Sequence, residues 1–215
     1  MARTSRLAAV TVPGPAGDLE GLIQEDEGEP PKMVAVVCHP HPLYGGTLHN
    51  KVVHRVASVM HQLGAAVLRF NFRGVGKSAG TFDEGEGELE DARAALAFIR
   101  ARHPDARSWL GGFSFGSWVA ARVAAQDDAL ECVTLIAPPI RTSSFAVMHE
   151  ALVPKLVVQG TADNICTPDL LAEEFKRWAE PKRLVLVEGA GHFFDKKLDP
   201  LAEAVRTLLE PFAAR

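Results

Sequence analysis

The sequence predicts an α/β fold, a doubly wound, mainly parallel sheet of about eight strands with helices on both faces. Three observations predict it. Short apolar runs without polar alternation recur along the chain, the pattern of strands buried on both faces. Each run is followed by a stretch of helical character, so strands and helices alternate as in parallel βαβ units. The 215 residues, 47% hydrophobic, suffice for one substantial core, and no repeat, low-complexity tract or long linker divides residues 1–215 into more than a single domain.

Taken in order, residues 7–12 and 19–24, on either side of Pro13-Gly14-Pro15-Ala16-Gly17-Asp18, read as an antiparallel hairpin at the sheet edge. Six buried strands are expected at about 33–38, 65–72, 107–111, 131–136, 155–159 and 183–187. Helices are expected between and after them, at about 47–63, 86–102, 114–126, 168–180 and 198–212. The acidic run from Asp83 to Asp91, broken by Gly85 and Gly87, reads as a solvated loop leading into a helix whose first turn favours negative charge. Between Ile136 and Lys155, a segment with Pro138-Pro139 and Pro154 has room for little more than one short helix.

The charge balance, 23 Lys and Arg against 27 Asp and Glu for a net −4, gives no basic field for nucleic acid or an anionic membrane, so no nucleic-acid partner is expected. Arg3 and Arg6 precede a short apolar stretch, Leu7-Ala8-Ala9-Val10, that Pro13-Gly14-Pro15 stops before it reaches the about 7–15 residues of a secretory core. No run approaches the roughly 18 apolar residues of a membrane span. Cys38, Cys132 and Cys166 are odd in number and lack metal-type spacing, which fits reduced thiols in a cytoplasmic protein.

The chemistry concentrates at Gly112-Phe113-Ser114-Phe115-Gly116, where an apolar run ends and the helix-like Trp118-Val119-Ala120-Ala121-Arg122-Val123-Ala124 begins. In a strand–turn–helix, the two glycines let strand and helix crowd together, so Ser114 can hold a strained backbone and project its hydroxyl outward. The pentapeptide alone is a weak signal; its partners strengthen it. A serine hydroxyl needs a base, and the base needs a group to fix its tautomer. Asp163 follows the strand Lys155-Leu156-Val157-Val158-Gln159, and His192 follows the strand Arg183-Leu184-Val185-Leu186-Val187. Asp163 as a mere helix cap is the weaker reading, because Thr167 before Pro168 fits the N-cap better. Asp195, three residues past His192, is a possible rival acid but reads as a surface or first-turn carboxylate.

With Ser, Asp and His in that order, each in a loop after a strand, the chain resembles the α/β-hydrolases from about Leu19 to Phe212. The resemblance rests on Cys38-His39-Pro40-His41-Pro42, on Phe70-Asn71-Phe72-Arg73-Gly74-Val75-Gly76-Lys77-Ser78, on the serine turn and on the Asp163 and His192 loops. It is nearest to small, lidless bacterial members with a His-Pro-His-Pro loop. The resemblance implies an α/β-hydrolase fold with no lid domain and a site open to solvent. It also implies a serine hydrolase of a small-molecule ester or thioester, with Ser114 as nucleophile, His192 as base and Asp163 as orienting acid. A peptidase, an acyltransferase or a non-catalytic scaffold binding a ligand or protein partner would carry the same pattern.

In such an enzyme the backbone N–H of Phe115 helps to hold the oxyanion, joined by an N–H from the loop after the first buried strand. Pro40 and Pro42 have none, which leaves His41, Leu43 and Tyr44. The resemblance puts His41 first, although proline stands where relatives have glycine. No cofactor is required. A metal held by His39, His41 and His192 is disfavoured, because an i, i+2 pair across a proline points to opposite sides and nothing completes the set at helical spacing. His39 reads as a loop-stabilising donor, and His49, His54, His61, His103 and His149 as helix-surface or cap residues.

Gly74-Val75-Gly76-Lys77-Ser78-Ala79 also matches parts of two nucleotide motifs. A P-loop needs glycine where Asn71 stands, and a dinucleotide site needs a helix to begin inside the motif, where Gly80-Thr81-Phe82-Asp83 continues as loop. A structural turn is expected instead. Phe113, Phe115, Tyr44, Phe193 and Phe194 either line an apolar acyl pocket or belong to the core.

Overall fold

The computed structural model describes residues 4–214, which leaves Arg3 outside the described residues. Strands β1 (Ser5–Gly14) and β2 (Gly17–Asp26) form the expected hairpin, followed by β3 (Met33–Cys38), α1 (Lys51–Gln62), β4 (Ala65–Phe70) and α2 (Glu86–Arg102). Then come β5 (Arg107–Phe113), α3 (Phe115–Ala124), β6 (Leu130–Ile136), β7 (Lys155–Gly160), α4 (Pro168–Arg177), β8 (Lys182–Val187) and α5 (Leu198–Ala213). The eight strands make one sheet in the order β1-β2-β4-β3-β5-β6-β7-β8. β3 to β8 are mutually parallel, and β2 runs antiparallel to β4.

Strands β3 to β7 are buried on both faces, and their alternate residues feed two cores. Val34, Val36 and Leu110 pack under α2 and α3 together with Leu89, Leu96 and Val119. Ala35, Val37 and Trp109 pack under α1 and α5 with Val53, Met60, Val205 and Leu209. This two-sided packing explains why the strands read as continuous apolar runs. The chain leaves β3 toward β4 on one side and returns to β5 on the other, so the winding direction reverses between β3 and β5. At such a switch point the loops beyond the carboxyl ends of the strands diverge and leave a crevice.

Element ends differ from the sequence reading where a side chain or a distant partner intervenes. α1 begins at Lys51 rather than near residue 47, because the Asn50 carboxamide oxygen accepts the Val52 N–H at 2.9 Å and caps the helix there. β4 stops at Phe70: the Asn71 N–H goes to the Glu20 carbonyl at 2.8 Å and the Phe72 N–H to His39 Nε2 at 3.0 Å. β5 runs on to Phe113, because Gly112 and Phe113 pair with Leu135 and Ile136 of β6.

The acidic run is not simply a solvated loop. Glu88 and Asp91 are fully buried. Glu88 accepts the Asp83 and Gly85 N–H groups at 3.0 and 2.7 Å, closing the start of α2, while Asp91 takes both arms of the Arg73 guanidinium at 3.0 and 2.8 Å.

Residues 137–154 contribute one short 3₁₀ turn, Ala146–His149, pinned by Phe145 stacking on Trp178, so the sheet carries no lid domain. Cys38, Cys132 and Cys166 are all buried. No described helix is long and apolar enough to cross a membrane.

Candidate active site

β5 ends in a sharp bend at Ser114, whose φ of 52° is rare for a residue with a side chain. The bend is held by the Ser114 N–H on the Ile136 carbonyl at 2.9 Å and by the Ser117 hydroxyl on the Ser114 carbonyl at 2.6 Å. Both flanking glycines are required by close approach. A Cβ on Gly112 would stand 2.1 Å from the Gly116 carbonyl oxygen, and one on Gly116 would stand 2.4 and 2.5 Å from the His39 and Cys38 carbonyl oxygens. Strand, helix and the end of β3 therefore meet with no room for a methyl group.

The structure brings Ser114, His192 and Asp163 into one hydrogen-bonded chain. Ser114 Oγ is 3.0 Å from His192 Nε2, and His192 Nδ1 is 2.8 Å from Asp163 Oδ2. A carboxylate can only accept, so Nδ1 carries the proton and the Nε2 lone pair faces the serine hydroxyl. The imidazole packs against the rings of Phe113 and Phe193, with centroids 5.2 and 5.1 Å away, and those two rings touch each other at 6.3 Å.

Asp163 is nearly buried at 3% exposure. Burial alone pushes its carboxyl up, but hydrogen bonds from His192 and from the Cys166 and Ile165 amides outweigh that and hold it below the ordinary value. Those amides bond Oδ1 at 2.8 and 2.9 Å, so Asp163 also closes its own turn. Thr167 occupies the N-cap of α4 as expected, although its side chain makes no cap bond. Asp195 lies outside this chain of contacts, largely exposed and paired with Lys51.

The loop after β3 is built by its two histidines. His39 is fully buried; Nδ1 donates to the Pro40 carbonyl at 2.6 Å and Nε2 accepts the Phe72 N–H, so the ring ties this loop to the end of β4. Burial holds it down to about 4, which keeps it neutral. Pro42–Tyr44 then form one 3₁₀ turn. Leu43 donates its N–H to His41 Nδ1 at 3.2 Å and Tyr44 donates to the His41 carbonyl at 3.1 Å, so two of the three N–H groups that the sequence leaves open are consumed inside the turn. The backbone N–H groups of His41 and Phe115 have no hydrogen-bond partner among the described residues. Their rings are neighbours, with centroids 4.9 Å apart.

The Gly74–Ala79 stretch is a turn with no helix starting in it. The Ser78 hydroxyl bonds the Asn71 carbonyl at 2.7 Å and accepts the Glu20 N–H at 2.9 Å, and Asn71 Oδ1 accepts the Leu48 N–H at 2.8 Å.

Among the described residues one group of metal-type donors is present: Asp163, Cys166 and His192, with ligand atoms within 4.8 Å of one another. It does not fit a metal ion. Both Asp163 oxygens already accept two donors each, His192 Nδ1 is protonated toward Asp163, and burial with the Asp163 charge pushes the Cys166 thiol up to about 12.

The aromatic residues divide between core and rim. Phe113 and Phe194 are core, and Phe115 is 7% exposed with its ring against those of His41, Phe82 and Trp118. Tyr44 at 86%, Leu43 at 67% and Phe193 at 47% exposure stand on the loops that carry His41 and His192. Gln159, which the sequence reading passed over, donates to Asp163 Oδ2 at 3.0 Å. Its signal was an amide at the end of an otherwise apolar strand run.

Residues 29–149, more than half of the chain, match the family model described as serine aminopeptidase, S33. The structure is similar to that of XC6422 from Xanthomonas campestris, described as an α/β serine hydrolase without lid, with 37% identity, a TM-score of 0.89 and coverage of 96% of this chain and 95% of that one. The sequence is 35% identical to protein RP471 of Rickettsia prowazekii over 205 residues, covering 91% of this chain and 86% of the relative. It is 30% identical to esterase EstD of Thermotoga maritima over 195 residues, covering 87% of this chain but 47% of EstD. From its fold and these matches, the chain belongs to the serine aminopeptidase S33 family and is a small α/β serine hydrolase without a lid.

Proposed function

We propose that the protein hydrolyses a carboxylic ester or thioester of a small or extended acyl substrate through an acyl-enzyme on Ser114. The observation that carries this reading is the unbroken chain from Ser114 Oγ through His192 to Asp163 at 3.0 and 2.8 Å. His192 Nε2 takes the serine proton as Oγ attacks the carbonyl carbon, and Asp163 holds the ring and stabilises its charged form. The tetrahedral oxyanion is received by the Phe115 and His41 N–H groups, which are unpartnered among the described residues. His192 then protonates the departing alcohol or thiol. Water, deprotonated by the same imidazole, releases the acid and restores the serine. No cofactor enters any step.

The exposed rim of Leu43, Tyr44 and Phe193 supports an apolar acyl group lying across an open site rather than inside a closed tunnel. The partner is a small molecule rather than a nucleic acid, and three buried cysteines, an odd number, support a cytoplasmic location. The name of the matched family favours one second reading, an aminopeptidase on the same three residues.

The test is turnover of p-nitrophenyl esters of graded chain length beside aminoacyl p-nitroanilides, on wild type and Ser114→Ala. Ester turnover that Ser114→Ala lowers by about 10³-fold or more supports the proposal. Turnover of the anilides alone would replace it with the peptidase reading, and full activity in Ser114→Ala would overturn both.

A further inference from the structure

Gln159, the last residue but one of β7, stands where an amide is costly. It is fully buried, the strand residues before it, Leu156, Val157 and Val158, are apolar, and its carboxamide oxygen has no hydrogen-bond partner among the described residues. A buried orphan acceptor is retained in few positions without a compensating use. The other end of the amide supplies one. Nε2 donates to Asp163 Oδ2 at 3.0 Å and to the Cys166 carbonyl at 2.6 Å. These two acceptors fix which way the amide points, since a flipped group would set its oxygen against a carboxylate and a carbonyl.

The oxygen that Gln159 touches is the one that accepts the His192 Nδ1–H. Oδ1 is fixed separately by the Ile165 and Cys166 amides. Without Gln159, one carboxylate oxygen would stay anchored while the other, which faces the imidazole, would be held by His192 alone.

We propose that Gln159 is a positioning residue for the hydrolytic reaction: its amide clamps Asp163 Oδ2 so that the carboxylate keeps His192 aimed at Ser114 and shares its negative charge with a second donor. This inference rests on the serine-hydrolase reading above. Gln159 bonds Asp163 and the Cys166 carbonyl and has no hydrogen bond to Ser114 among the described residues, so its influence falls on the relay rather than on substrate binding. The titratable groups facing the relay are Asp163, His192 and the Cys166 thiol, which stays protonated, and the Arg141 charge also reaches Cys166.

Two variants test it. Gln159→Met keeps the volume and removes the donor; the carboxylate loses its clamp and concentrates its charge toward the imidazole, which favours the protonated ring. We expect kcat for a p-nitrophenyl ester to fall about ten-fold with KM within about two-fold, and the acid limb of the pH–rate profile to move up by about half a pH unit. Gln159→Leu likewise removes the donor and should move the acid limb in the same direction; it carries the test if Gln159→Met does not fold. An acid limb at its wild-type position in the folded variants overturns the inference, whether or not kcat falls, because lost packing alone leaves the limb unmoved. Ser114→Ala is measured beside them. If it turns over like wild type, the hydrolase reading fails first; if it is inactive while the Gln159 variants keep the wild-type limb, only the role of Gln159 fails.

Discussion

Substituting alanine for Gly116 isolates the contact on which the serine bend depends. The new methyl carbon would stand 2.4 Å from the His39 carbonyl oxygen and 2.5 Å from that of Cys38. A comfortable carbon–oxygen separation is about 3.3 Å or more, so the overlap approaches about 1 Å against backbone atoms rather than the free end of a side chain. Relief requires the start of α3 to move away from the end of β3, which carries the Phe115 N–H away from the His41 N–H.

Overpacking of this kind costs about 1–3 kcal/mol, and the gain in helix propensity, at most about 1 kcal/mol, offsets part of it. A net loss near 2 kcal/mol lowers Tm by about 4–8 °C in a chain of this size. The larger effect falls on turnover: displacement of one oxyanion donor by about 1 Å should lower kcat about 10²-fold or more. Thermal melting followed by circular dichroism, with kcat for a p-nitrophenyl ester measured well below the melt, separates the two. A Gly116→Ala protein with wild-type Tm and wild-type kcat would refute the claim that this close approach shapes the site.

Further outcomes follow from the same geometry. Asp163→Asn should fold and yet lower kcat by about 10⁴, because an amide at that position no longer enforces the tautomer with Nδ1 protonated; near-normal steady-state turnover would contradict the orientation role. Burial holds His39 near 4 while an unfolded histidine titrates near 6.5, so the unfolded chain takes up a proton in that window that the folded chain refuses. The contribution of His39 to stability is therefore intact above about pH 6.5 and is lost as pH falls toward 4, to a limit of about 3 kcal/mol. In urea titrations at about pH 7.5 and 5, His39→Gln should lose less stability between the two than wild type does, and equal losses would count against this linkage. Glu88→Ala leaves the Asp83 and Gly85 N–H groups without their buried acceptor and should cost about 1–3 kcal/mol by the same urea titration, whereas a solvated acid would cost almost nothing.

The parts of the fold that were legible in the sequence are those set by local periodicity and chain order. Runs such as Met33-Val34-Ala35-Val36-Val37-Cys38 have no polar face, so each placed a strand between two helical layers, and six of the eight strands follow, with the edge hairpin marked by its turn. Ser114, Asp163 and His192 were legible as a group because each follows a strand of the parallel part of the sheet, and parallel strands deliver their following loops to one edge.

What the sequence did not disclose depends on partners far along the chain. β4 ends where it does because Phe72 finds His39, which stands 33 residues earlier. Asp91 is buried because Arg73 meets it from another loop, while in sequence it is one acid among several. The choice among His41, Leu43 and Tyr44 turns on hydrogen bonds inside a single 3₁₀ turn, which composition does not encode. Gln159 reads as an ordinary polar strand end until its amide is seen on Asp163.

The central claim is that Ser114 is an activated nucleophile, and intact-mass spectrometry after treatment with a fluorophosphonate tests it most directly. We expect one adduct on wild type, none on Ser114→Ala, and labelling slowed by orders of magnitude on His192→Ala. No adduct on the folded wild-type protein, or an adduct that persists in Ser114→Ala, would contradict the account.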